Sequence, residues 1–111
     1  MRERIVTLRD YRDDFGSRYL GAALAPDGGL SIRGQDIGAG VEQMFGPGNR
    51  EYEWVWTIPA AEMRALKAAL GKGDDVLMAL ASRFSDEAAA DLQPFLDKHE
   101  IRYEFWSRIG E

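Results

Sequence analysis

Tyr52-Glu53-Trp54-Val55-Trp56-Thr57-Ile58 alternates heavy apolar side chains with smaller or charged ones. A period of two is the signature of a strand with one buried face. Tyr52, Trp54, Trp56 and Ile58 share the inward face, and Glu51, Glu53, Val55 and Thr57 the other. A second aromatic run, Ile101-Arg102-Tyr103-Glu104-Phe105-Trp106, follows near the end of the sequence. The two runs hold six of the twelve aromatic residues and all three tryptophans. The heavy core material therefore sits on a sheet.

Working outward, Pro59 stops the aromatic strand and suits a first helical turn. Met63, Leu66, Ala69 and Leu70 stripe the helix that follows, which ends at Gly71, a residue suited to a left-handed cap. Gly73-Asp74-Asp75 opens the next helix, with Val76, Leu77, Leu80 and Phe84 buried. Ser85 and Asp86 interrupt it. A last helix begins near Asp91, which places Pro94 in a first turn, where its missing N–H costs little. His99-Glu100 leads into the final strand.

Upstream, Arg4–Asp10 reads as a first strand, followed by a polar stretch with a turn at Gly16-Ser17. Tyr19–Ala25 and Leu30–Gln35 read as a hairpin joined by Pro26-Asp27-Gly28-Gly29. Asp36 reads as the N-cap of a short helix carrying Ile37, Val41, Met44 and Phe45. The order is β-β-β-α-β-α-α-α-β. It predicts an α+β fold over residues 1–111 as one domain: a four- to five-stranded, mainly antiparallel sheet with three to four helices on one face. A right-handed crossover would leave the two aromatic strands parallel and adjacent.

The composition, 45 % hydrophobic and 30 % charged, suits a self-supporting globular core. A net charge of −5 without a Lys/Arg cluster argues against a nucleic-acid partner. The absence of cysteine removes disulfides, thiolate metal sites and cysteine nucleophiles. Met1-Arg2-Glu3-Arg4-Ile5-Val6 does not read as a signal peptide, and no apolar run reaches transmembrane length. The expectation is a cytoplasmic protein with no membrane partner.

Chemistry has few places to reside. One histidine, His99 at a helix end, reads as a structural imidazole on the negative pole. Neither the Asp10, Asp13, Asp14 cluster nor the Asp74-Asp75 pair follows a calcium-loop pattern, so no metal and no cofactor is expected. Glu53 and Glu104 each follow a tyrosine in an aromatic strand. They would form an acid–base pair only if brought together and shifted apart in pKa. The glycines of Gly34-Gln35-Asp36-Ile37-Gly38-Ala39-Gly40 lack the Gly-Lys-Ser/Thr ending of a phosphate loop. No catalytic residue is assigned. By alternation, Trp106 points away from Tyr103 and Phe105 and joins Arg102 and Glu104, a composition typical of interface anchors.

Asp13-Asp14-Phe15-Gly16-Ser17-Arg18-Tyr19-Leu20-Gly21, Gly34-Gln35-Asp36-Ile37-Gly38, Glu51-Tyr52-Glu53-Trp54 and Tyr103-Glu104-Phe105-Trp106 resemble a family of small bacterial proteins of unknown function. That resemblance implies no activity and no site. In size, acidity and element order the chain also resembles the immunity proteins that neutralise bacterial toxins, a likeness of class without a diagnostic motif.

The expectation that emerges is a non-enzymatic, acidic protein-binding module with a basic protein partner, a toxin-neutralising immunity protein being one form of it. Its partner-binding residues would be Asp10, Tyr11, Asp13, Asp14, Glu53, Glu104 and Trp106. The alternative is a small-ligand domain or minor enzyme with a pocket lined by Tyr52, Trp54, Trp56 and Tyr103. A homo-oligomer built through the slender strand 19–25 is the third expectation.

Overall fold

The computed structural model describes residues 4–71 and 75–110. Among these, five strands form one sheet in sequential order: β1 (Arg4–Asp13), β2 (Gly16–Leu24), β3 (Leu30–Ile37), β4 (Glu51–Ile58) and β5 (Glu104–Gly110). Every neighbouring pair is antiparallel. The described residues also form four α-helices, α1 (Ala39–Phe45), α2 (Met63–Leu70), α3 (Val76–Arg83) and α4 (Leu92–Lys98), and two short 3-10 turns. The α+β class and the order of elements are those the sequence predicts.

The core forms where the even-numbered face of β2–β4 meets α2, α3 and α4. Leu20, Ala22, Leu30, Ile32, Trp56 and Ile58 line the sheet side; Leu66, Leu80, Leu92 and Leu96 close it from above. Val76, Leu77, Leu80 and Phe84 are all buried, as their spacing predicts. Gly71 ends α2 in the left-handed conformation, at φ 68°. Asp75 caps α3 by accepting the Met78 N–H, while Asp74 lies outside the described residues.

Three local expectations are corrected. Asp36 does not cap a helix. It lies within β3, opposite Arg18 on β2 and Tyr52 on β4, because both neighbouring strands extend far enough to continue the ladder to Ile37. The chain turns at Gly38 instead, at φ 121°, and α1 has no side-chain cap. Ile37 is consequently 40 % exposed and Met44 76 % exposed, so the predicted stripe is buried only at Val41 and partly at Phe45.

The first turn falls at Asp14-Phe15, so β1 runs three residues beyond Asp10. The last strand begins at Glu104, not Ile101, and continues to Gly110. Residues 99–103 are occupied in closing α4. Ile101 N–H bonds to Leu96 C=O, Glu100 takes φ 56°, and Arg102 N–H is held by Glu62 at 2.8 Å.

β4 and β5 are adjacent but antiparallel. Glu104 pairs with Thr57, so the helical excursion returns to the end of β4 from which it left and never crosses the sheet. Of the expected strand 19–25, residues 19–24 fall in β2, which is paired on both sides by β1 and β3, and Ala25 opens the turn; neither edge of β2 is free for a second copy. The free edges of the sheet belong to β1 and β5.

Candidate functional site

The two free edges differ in how they are defended. β1 carries Arg4, Arg9, Asp10, Arg12 and Asp13, and its register slips between Thr7 and Arg9. Charges and a bulge are the ordinary means of blocking unwanted strand pairing. β5 reads Glu-Phe-Trp-Ser-Arg-Ile-Gly, without lysine, proline or register shift. Phe105 is 55 %, Trp106 51 % and Ile109 45 % exposed. Phe105 and Ile109 face the helix side, opposite Trp56 and Tyr52; Trp106 faces the uncovered side, opposite Val55.

The ladder also shows which backbone groups of β5 are free. Gly38 N–H donates to the C=O of Arg50, just before β4, whose own N–H donates to Gly110 C=O; alternation from the Gly38–Arg50 pair directs the polar groups of Tyr52, Trp54, Trp56 and Ile58 to β3. The odd-numbered residues of β4 therefore bond to Glu104, Trp106, Arg108 and Gly110. The N–H and C=O groups of Phe105, Ser107 and Ile109 are left pointing off the sheet.

The predicted partner-binding residues separate into two groups. Asp10, Tyr11, Asp13 and Asp14 lie on β1 and its turn; Glu53, Glu104 and Trp106 lie on β4 and β5. Four strand spacings, about 19 Å, divide the edges. Asp13 is engaged locally, accepting the Phe15 N–H at 2.8 Å.

Glu53 and Glu104 are not a pair. Glu53 is opposite Arg108 and Glu104 opposite Thr57, four register steps apart. Arg108 donates to Glu51 at 2.7 Å and to Glu53 at 2.9 Å. Its hydrogen bond holds the Glu53 carboxyl below the usual range, opposite to what a general acid needs. His99 is exposed at the C-terminus of α4, with its ring 4.5 Å from that of Phe95. Among the described residues no three acidic or histidine side chains gather as a metal site.

Sequence reasoning missed a groove on the helix side. The bulge in β1 puts Leu8 and Arg9 on the same face, so Leu8 enters the core while Arg9 stands opposite Leu20. Arg9, Trp54, Trp56, Gln93 and Phe105 line a hollow of about 380 Å³. Tyr52 joins it to a second hollow of about 270 Å³ beside Arg18, Asp36 and Met44. Tyr52 and Trp54 stack at 5.2 Å, and Trp54 lies across Gly34, where any β-carbon would meet the indole. Tyr103 is not part of this lining: its hydroxyl donates to Asp97 and its ring packs on Trp56.

Asp36 is the electrostatic outlier of the groove. Burial pushes its carboxyl above the usual range, against the pull of Arg18 and Arg9. Folded Asp36 therefore holds its proton more tightly than the unfolded chain does. Its contribution to stability falls as pH rises through the raised value. Glu53 and Asp75, held down by Arg108 and Arg4, act in the opposite sense and lose their contribution as pH falls. Asp36→Asn is expected to gain stability over the wild type at neutral pH, by a margin that shrinks on acidification. Urea unfolding across the carboxylate range checks this; a margin that widens on acidification would contradict it.

No family model, curated protein or solved structure matches the chain. Among the described residues, no helix is long and apolar enough to cross a membrane.

Proposed function

We propose that the chain is a non-enzymatic protein-binding module that accepts an extended segment of its partner as a sixth strand along β5. The observation that carries this reading is the unguarded edge: three exposed apolar side chains beside outward backbone donors and acceptors. Strand addition takes affinity from the main chain and specificity from alternate side chains. Trp106 is the anchor on one face, Phe105 and Ile109 on the other. The net charge of −5 favours encounter with a basic partner. A toxin-neutralising immunity protein, acting in a bacterial cytoplasm, is the specific form we infer. The acidic surface, small size and cysteine-free sequence support it.

The test is affinity capture from the native host with the wild type and with Trp106→Ala. Removal of an interface tryptophan costs about 2 kcal/mol, or roughly 30-fold in affinity. Tyr11→Ala, on the guarded edge, is expected to leave capture unchanged. Equal recovery of the same proteins by the wild type and Trp106→Ala would reject the reading.

A second reading, a small polar ligand held in the helix-side groove, is favoured by one specific observation. Arg9 Nε, Asp36 Oδ1, Trp54 Nε1 and Trp56 Nε1 are buried without a hydrogen-bond partner among the described residues, and all four residues line the groove. Unpaired buried polar groups are costly and call for an explanation. Native mass spectrometry of the chain from its host tests this reading: a co-purifying small molecule lost in Arg9→Ala supports it, and a bare chain mass refutes it.

A further inference from the structure

We infer that the free chain associates as a two-fold dimer through β5, antiparallel and centred on Ser107, and that this dimer occupies the edge a partner would use. The inference rests on the reading of β5 as the binding edge and names its resting occupant, a second copy.

The sequence of β5 is self-complementary in one register. Ser107 is the midpoint of Glu104–Gly110, so an axis through it pairs the whole strand. The outward groups of Phe105, Ser107 and Ile109 then meet the same groups of the second copy, giving about six main-chain hydrogen bonds. On the helix side, Phe105 of each copy faces Ile109 of the other, so both exposed apolar pairs are covered. On the open side, Trp106 faces Arg108 of the second copy, a cation beside an indole. Glu104 lies one diagonal step from that arginine. An axis on Trp106 instead would set Phe105 against Ser107 and leave Ile109 opposite Tyr103, outside the strand. The axis stands perpendicular to the sheet, so both helix layers lie on one side. Every β5 residue from Glu104 to Ile109 is exposed, which leaves room for the second copy.

The β1 edge offers no equivalent. Its bulge and charges interrupt any long ladder, so association stops at two copies and does not propagate.

Light scattering across a concentration series tests the inference on the full chain. The wild type is expected at twice the 12.5 kDa chain mass, dissociating on dilution. Phe105→Lys and Ile109→Glu are each expected to be monomeric. The double variant is expected to dimerise again, because this register alone sets the introduced lysine of one copy against the introduced glutamate of the other. Ser107→Cys, carrying the sole cysteine of its chain, is expected to be joined to its copy by a short bis-maleimide, because the Cβ atoms of a hydrogen-bonded pair stand about 5.5 Å apart, beyond direct disulfide reach. Circular dichroism confirms that each variant is folded, and should one fail to fold, the Ser107→Cys cross-link decides by itself. A wild type monomeric throughout, or a dimer insensitive to these changes, overturns the inference. If the wild type is monomeric while Trp106→Ala still abolishes capture, the dimer fails and the partner reading survives; if capture is unaffected too, both fail.

Discussion

Gly16→Ala is expected to lose about 3 kcal/mol of stability or more, enough to leave much of a marginal domain unfolded. Gly16 sits at φ 132°, where an L side chain is strained, and an added Cβ would collide with the Ile37 carbonyl oxygen. The obstacle is backbone, so no rotamer change relieves it. Gly16 and Gly38 approach each other there, and Gly40 N–H bonds to Phe15 C=O, pinning the first hairpin beneath the start of α1. Gly48 is the control. Its φ of 87° is also positive, but no atom of the described residues lies within 4 Å of an added Cβ. Gly48→Ala is expected to show only the conformational part of the cost, about 1 kcal/mol. Thermal or urea unfolding of both variants separates clash from strain; equal losses would show that the close approach at Gly16 contributes nothing.

Leu80→Ala is the second large effect, about 3 kcal/mol from lost transfer energy and the cavity left behind. Leu80 is fully buried in α3, the helix that brings Val76, Leu77, Ala79 and Phe84 onto the sheet. α3 has only eight residues, too short to persist on propensity alone, so packing holds it in place. Met78, on the same helix but 65 % exposed, supplies the comparison: Met78→Ala should change stability by less than about 0.5 kcal/mol. Similar losses in both variants would mean that the helix layer does not pack as described.

These contrasts show why much of the fold is legible in the sequence. The alternation of Tyr52 to Ile58 and the Met63-Leu66-Leu70 stripe are patterns with one dominant solution each. Gly71 and Pro94 act locally and sit where local chemistry puts them. Asp36 misleads because capping chemistry is local, whereas its place in β3 depends on β2 and β4 supplying partners. The late start of β5 has the same origin: Arg102 N–H is claimed by Glu62, forty residues away.

The candidate sites divide along the same line. Trp106 is readable from parity within its own strand. Ile109 escapes because it lies beyond the expected strand end. Arg9 escapes because one extra residue at Leu8 reverses the parity of β1, and nothing in Ile5-Val6-Thr7-Leu8-Arg9 announces a bulge. Which strand lies at an edge is a property of the assembled sheet, so the exposure of Phe105 could not be read from its aromatic character.

Residue-resolved amide hydrogen exchange at β5 tests the unguarded edge most directly. In dilute free chain, Phe105, Ser107 and Ile109 are expected to exchange quickly while Trp106 and Arg108 are protected by β4; the captured partner should slow the first three. Protection along β1 or the Arg9–Trp54 groove, with β5 unchanged, would contradict it.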